Sequence, residues 1–481
     1  MMNEVVQVLV PQAILVLTAL VVLGLGVSVP KARKPITAAT LFGGFLAAGS
    51  GLLFPLNGSF LHGMVAVDPL SRMFQLVILA LALVAVVYAG DTFPERHFAE
   101  SLALILFGAV GMMLLCATDD LLMIFLALEL TSIPLYVLAA FQKSGRSSAE
   151  AGLKYFLIGS VSAAFLLYGF SLIYGVSGTT HLAEIARFSG PADPLLLAGI
   201  ALSLGGLAFK VAAVPFQLWA PDVYEGAPTA AAALIASGSK VAGIFLLAKL
   251  LATGLAPWAG SPVFPGWSLL LGVVAAASIV LGNIAALVQS NVKRLLAYSA
   301  IAHAGYLLLG LASGQPASFV AVLFYVVVYA TTTAGAFGVV IVVEREHGGS
   351  RVDDFNGLAR SSPVLAICLL VFLASLAGIP PLAGFIGKFF LFSSALGNPG
   401  ILWLVVLALA ANAISLYYYL IVLKHVFVVP GPDGVPTRSS ASRTVVAVLA
   451  LAVLVLGFFP NLLLSPLERA AHPPAVPAQT P

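Results

Sequence analysis

Apolar runs long enough to cross a lipid bilayer, about twenty residues each, follow one another along the whole chain with connections too short to hold a folded unit. Fourteen such segments are read, beginning near Val5, Pro35, Leu70, Ala99, Leu121, Ala151, Leu195, Ala230, Trp267, Leu295, Ala317, Pro363, Ile401 and Thr444. Of 481 residues, 61% are apolar and only 9% carry charge, against roughly 25% in an ordinary soluble domain. The expected class is therefore an all-α polytopic membrane protein, a single membrane domain over residues 1–481. A net charge of +3 without any basic tract argues against nucleic acid as a partner and leaves the bilayer as the surroundings.

Other classes fall away by what is missing. Cys116 and Cys368 stand singly inside apolar runs, which excludes a cysteine-ligated cluster and reads as packing. No phosphate-binding glycine loop joins a strand to a helix, so nucleotide binding is not expected. The first run, Val5 to Val29, is followed rather than preceded by basic residues and reads as a retained helix, not a cleaved leader.

Alternating the loops between the two sides of a membrane separates the positive residues sharply. Fifteen fall on one side, among them Lys31, Lys143, Lys154, Lys293, Arg294, Arg438 and Arg443; the other receives Arg72, Arg187 and Arg469, with Lys249 near its boundary. Positive loops stay cytoplasmic, so both termini are expected on the outer side. The remaining three, Lys210, Lys240 and Lys388, lie inside apolar segments.

Two segments carry proline where a crossing helix should continue, at Pro215 and Pro221 and at Pro380-Pro381. Each proline removes a backbone donor and frees a carbonyl, which breaks the helix. Helices 4–8 and 9–13 then form two sets of five with the break in the fourth place, so helices 7 and 12 are discontinuous. Five is odd, and the second set crosses in the opposite sense, the pattern of an inverted-repeat transporter. The boundaries expected are 1–98 for helices 1–3, 99–252 and 267–428 for the repeats, 443–464 for the last helix and 465–481 for a short polar tail.

A charge at the bilayer centre costs on the order of 2.5–3.5 kcal/mol on insertion scales, so each one needs a partner, water or a function. Glu129 in LLMIFLALELTSIP, Lys210, Lys240 and Lys388 are the candidates. One glutamate and one lysine would make a structural ion pair. Three lysines with one acid repel one another and are desolvated, which favours proton release; proton transfer is the expected role. His303, mid-helix in SAIAHAGYLLLG, would relay a proton or serve as a packing hydrogen-bond donor. Lys154, four residues after Glu150, would snorkel to the interface or take part in proton uptake. Asp119 and Asp120 read as a helix end, and Asp222 and Glu225 as caps or surface contacts.

The stretches AFKVAAVPFQLWAPDVYEGAPT (208 to 229), SNVKRLLAYSAIAHAGYLLLG (290 to 310), SLAGIPPLAGFIGKFFLF (375 to 392) and NAISLYYYLIVLK (412 to 424) resemble the antiporter-like subunits of respiratory complex I and of Mrp-type antiporters. DVYEGAPT, SLYYYL and a lysine at 388 resemble the N-subunit branch of the bacterial NADH:quinone oxidoreductases. The resemblance implies proton-transfer roles for Glu129, Lys210, Lys240 and Lys388, with Lys154 secondary, in a closed pair of Glu129 with Lys210. It implies M-like, K-like and J-like membrane partners and a peripheral redox arm, no cofactor bound by this chain, and NADH, FMN, iron–sulfur clusters and quinone used by other subunits of a bacterial plasma membrane complex. Gln217 stands where many relatives have histidine.

Overall fold

The computed structural model describes residues 8–29, 32–53, 57–142, 145–188, 193–260, 266–431 and 440–471. Lys31, Lys143 and Arg438 of the charge tally lie outside the described residues, as does the tail beyond Ala471. Helices run α1 Val10–Ser28, α2 Arg33–Leu53, α3 Pro69–Thr92, α4 Phe98–Cys116, α5 Leu121–Ala139 and α6 Arg146–Ser177. An interrupted pair follows, α7a Pro194–Lys210 and α7b Trp219–Gly226, and then α8 Thr229–Gly254. The second half comprises α9 Trp267–Ala286, α10 Val292–Ala312, α11 Pro316–His347, the interrupted pair α12a Pro363–Ala377 and α12b Ala383–Ala395, α13 Leu402–Phe427 and α14 Ala441–Phe458. Twelve described helices are long and apolar enough to cross a membrane; the two interrupted pairs stand where the prolines break the pattern.

The helices begin where short polar side chains replace the missing backbone partners. Asp120 accepts from the amides of Leu122 and Met123 at 2.9 and 3.0 Å, and Asn291 from those of Lys293 and Arg294 at 2.9 and 3.3 Å. Asp68 and Ser71 cap α3 reciprocally, as in a capping box.

The segments flanking these caps recur in the two halves. Leu121 and Leu182 bond Thr180 and Asp119 across one antiparallel bridge, both at 2.9 Å; Val292 and Val352 bond Ser350 and Ser290 across another, at 2.8 and 2.9 Å. Each bridge is closed by a 32-residue helix, α6 or α11, ending on a left-handed glycine, Gly178 or Gly348. Both interrupted pairs turn on a residue with positive φ, Ala212 at 58° and Gly378 at 84°.

Apolar side chains face outward over much of the surface, for example Leu126, Phe156, Trp403 and Val406, while α8, α10 and α11 are buried almost throughout. The interior of the bundle is therefore built by these three helices, and it is there that the charged residues lie. Two elements are additional to the sequence reading. A short hairpin pairs Gly58–Phe60 with Val65–Val67. The stretch read as the end of the last helix and the start of a polar tail is a separate helix, α15 Asn461–Ala471, following Pro460, with Leu467 fully buried and Leu462, Glu468 and Arg469 outward.

Removing the α10 cap is expected to cost about 1 kcal/mol. Asn291→Ala should therefore lower the thermal midpoint of the solubilised protein, and an unshifted midpoint would show that the bridge to Arg351 holds this end without the cap.

Candidate functional site: a buried line of lysines

Lys210 is the last residue of α7a and only 3% exposed. Its Nζ donates to Ser132 Oγ of α5 at 3.1 Å, and Ser132 in turn donates to the Leu128 carbonyl at 2.7 Å. The chain can leave the helix here because the Phe209 carbonyl finds the Trp219 indole N–H at 3.2 Å and the Val214 amide finds Ser278 Oγ at 3.0 Å. Glu129 lies one turn before Ser132 and is half-buried, on a side of α5 that also exposes Leu126, Leu130 and Ile133. Among the described residues it makes no ion pair within 4 Å.

Lys240 of α8 is 2% exposed. Its Nζ donates to the Ala300 carbonyl of α10 at 2.6 Å and sits 5.2 Å from the centre of the Tyr329 ring. A π-helical turn at Ile235–Ser239 immediately precedes it; the widened turn re-aims the side chains that follow.

Lys388 of α12b donates to the Leu376 carbonyl at 2.6 Å and to Asn412 Oδ1 at 2.5 Å, with the Tyr306 ring centre 5.2 Å away. The first acceptor follows directly from the sequence. In a continuous helix the Leu376 carbonyl would bond the amide four residues on, but that residue is Pro380, which has none. The break supplies the acceptor that a buried ammonium requires.

His303 joins the two. Its Nδ1 lies 2.6 Å from the Tyr325 hydroxyl and its Nε2 3.4 Å from that of Tyr419. The imidazole is 5.2 Å from the Tyr329 ring and 5.5 Å from Tyr306, centre to centre. The result is a buried line in which cations and rings alternate: Lys240, Tyr329, His303, Tyr306, Lys388. Around it, Ser299 meets Tyr419 at 2.5 Å, and Asn283 links Tyr306 and Tyr418, each at 3.2 Å.

Five of the six sequence candidates thus line the interior or its edge, and Lys154 does not join them. It forms ion pairs with Glu150 at 2.7 Å and Asp222 at 2.5 Å; Asp222 also holds Arg294 at 2.6 Å, which reaches Glu225 at 3.1 Å. This network ties the start of α6 to α7b and α10 at the positively charged end. Ser132, Asn412 and the tyrosines were not singled out from sequence. The spacing of Tyr325 and Tyr329, one turn apart in an apolar helix, was the available signal. Among the described residues no group of three or more His, Cys, Asp or Glu is placed to hold a metal ion.

Residues 118–415 match the family model described as NADH:quinone oxidoreductase/Mrp antiporter, TM. The chain belongs to this family. It is 44% identical over 96% of its length to NADH-quinone oxidoreductase subunit N 2 of Acidobacterium capsulatum, covering 98% of that protein. It is 37% identical over 94% of its length to F(420)H(2) dehydrogenase subunit N of Methanosarcina mazei, of which 96% is covered. In the solved structure of respiratory complex I from Thermus thermophilus with bound Aureothin, one chain is 37% identical, with a TM-score of 0.80 over 96% of this chain and 99% of that one. The family resemblance read from the four sequence stretches is thereby established over nearly the whole chain, and with it a multi-pass membrane subunit of the complex I type.

Asn412→Leu removes one of two hydrogen-bond acceptors from a buried ammonium, an interaction with a charged group of about 1.5–3 kcal/mol. The solubilised assembly should unfold at a lower temperature, with the chain still incorporated. An unchanged midpoint would mean that Leu376 and the Tyr306 ring suffice.

Proposed function

We propose that this chain is the N-type membrane-arm subunit of a proton-translocating NADH:quinone oxidoreductase and moves protons from the positively charged, cytoplasmic end to the opposite face. The observation that supports this most is the buried line from Lys240 through His303 to Lys388, set in the interior of a chain similar to subunit N from end to end. Buried ammonium groups with neutral acceptors hold their protons less firmly than ion-paired ones. Electron transfer from NADH through FMN and iron–sulfur clusters to quinone belongs, in this reading, to a peripheral arm, and M-like, K-like and J-like subunits are the neighbours in the bacterial plasma membrane.

The fold is read as fourteen crossings in two inverted five-helix repeats, with both termini on the outer side. The recurrence of the bridge, the 32-residue helix and the interrupted pair supports it. The first bridge lies beside Lys249 at the end of α8 and the second beside the Lys154–Arg294 network, at opposite ends of the bundle.

In the mechanism, Glu129 is the adjustable charge. While its carboxylate stands near Lys210 the ammonium is favoured; a movement of α5, or of a neighbouring subunit against its half-exposed side, withdraws that support and sends the proton toward Lys240, His303 and Lys388. Each tenfold change in proton affinity corresponds to about 1.4 kcal/mol, within reach of a partial change in one desolvated charge pair. Lys154, held at the cytoplasmic end, takes a secondary role. A second reading has a specific basis, since the family model spans Mrp antiporters and one relative is an F(420)H(2) dehydrogenase subunit: the same chain in a complex with another electron donor, or in a cation/proton antiporter.

Purification of the tagged chain from gently solubilised membranes decides between them. NADH:quinone reductase activity with iron–sulfur partners is expected; membrane partners alone, without redox activity, would favour the antiporter. In reconstituted vesicles, Lys210→Ala should lower proton pumping while leaving assembly intact, and normal protons pumped per NADH would remove Lys210 from the path. Glu129→Gln should weaken pumping more than Glu129→Asp. Full activity in both would make the carboxylate structural.

A further inference from the structure

A fourth lysine of the apolar segments lies outside the line described above. Lys249 is nine residues beyond Lys240 on the same helix, with α-helical backbone between them. At 3.6 residues per turn that is half a revolution, so the two ammonium groups leave α8 on opposite sides. Lys249 is 9% exposed, and its Nζ is 2.7 Å from Asp119 Oδ1, next to the cap of α5.

Lys249 lines a cavity of about 500 Å³ enclosed by the start of α3, the ends of α8 and α10, the start of α11 and the last residues of α15. It reaches the helix ends: Asp68 and Gln315, the residues from which α3 and α11 start, and Thr253 of the last turn of α8 all line it. The floor reaches Phe245 and Gly310. At 1.5 Å per residue these lie about 8 Å beyond Lys240 and about 10 Å beyond His303 along their helices, so the cavity ends within about two turns of the buried line.

The occupant is decided by charge and place. Asp68 and Lys249, the charged residues of the lining, give the walls no surplus positive charge, which disfavours an anionic lipid headgroup. The mouth is among helix ends rather than at the level of the hydrocarbon, and the volume admits on the order of ten or more waters. We propose that this cavity is a water-filled vestibule through which the proton path opens to the face opposite the Lys154 network, with the Lys249–Asp119 pair as its proton-exchanging group.

The inference rests on the proton-conduction reading above. At rest the Lys249 ammonium is buried on Asp119; in the exchange step its stem swings off Asp119 to cavity water, an N–H bond of the ammonium breaks and an O–H bond forms on that water, giving a hydronium ion that leaves by the mouth. The neutral amine then takes the next proton from water on the interior side, and Asp119 holds the ammonium between turnovers.

The test uses the intact complex in right-side-out membrane vesicles. Ala252→Cys and Ala259→Cys place thiols at wall positions with accessible surface, while the native Cys116 and Cys368 are buried and serve as the parental control. A charged, membrane-impermeant thiosulfonate should label both introduced cysteines completely from the outer face. Absence of labelling, or labelling only by a lipophilic maleimide, overturns the vestibule. For the pair, read in inverted vesicles where NADH reaches the redox arm, Lys249→Met and Lys249→Arg should both lose protons pumped per NADH at retained NADH:quinone reductase activity, because arginine keeps the charge but does not release a proton. Normal pumping in Lys249→Arg overturns the exchange role. Labelling is read without pumping, so a failure of the conduction reading in Lys210→Ala is distinguishable from a failure here.

Discussion

An ammonium removed from water must be resolvated by the protein, and this requirement organises the interior. Lys240 and Lys388 meet it in the same manner, each with a main-chain carbonyl at 2.6 Å and a tyrosine ring centre at 5.2 Å. An aromatic face adds on the order of 2 kcal/mol when the cation is desolvated, and the carbonyl adds a charge-assisted hydrogen bond. A regular helix has no idle carbonyl to offer. Pro380 frees that of Leu376 for Lys388, whereas the Ala300 carbonyl, inside an unbroken helix, uses its second lone pair for Lys240. At Lys388 the broken helix is thus the means by which a cation is accommodated where the hydrophobic bundle would otherwise reject it.

The two halves meet this requirement in corresponding places and with different side chains. Counted from the capping residues Asp120 and Asn291, Glu129 and Ala300 are both nine residues on, and Ser132 and His303 are both twelve. Lys210 bonds Ser132, at the twelfth position of the first half, and Lys240 bonds Ala300, at the ninth position of the second, so each half offers a lysine one of these two register positions. Where the first half carries a carboxylate and a hydroxyl, the second carries a bare carbonyl and an imidazole. The single acid therefore stands at one end of the lysines, at a half-exposed position, and the remainder of the line has only neutral acceptors.

How much of this was legible in the sequence follows from what each residue costs. Lys210, Lys240, Lys388, Glu129 and the proline breaks stand out because a charge or a missing donor in an apolar run is expensive wherever it lies. Tyr306, Tyr325, Tyr329 and Tyr419 do not, because a tyrosine in a membrane helix is inexpensive and its role depends on which ring it meets in space. Asn412 belonged to a quoted motif, yet its partner is 24 residues away and across a helix break. Lys154 was read with Glu150, correctly as to the neighbour, but the link to Asp222 and Arg294 is a tertiary contact that spacing along one helix does not contain. The α15 helix was divided between the last helix, read to 464, and a polar tail from 465; its apolar side is narrow and Leu467 is its buried residue.

Ring faces hold a cation but accept no proton from it, which limits how the proposed line can work. Lys240 and Lys388 each meet a tyrosine ring that His303 also meets, and among the described residues neither bonds the imidazole, so in the proposed line a proton passes only when a lysine stem swings off its ring or water bridges the gap. Neutral acceptors make that swing affordable: a carboxylate 4 Å from an ammonium in a poorly polarisable interior would bind it by several kcal/mol even at an effective dielectric constant near 20. An acid beside every lysine would give a more firmly paired interior and an immobile one. In the proposed mechanism, one carboxylate, at the edge and open to influence from outside the chain, leaves three lysines that a small change of field at Glu129 would set in sequence.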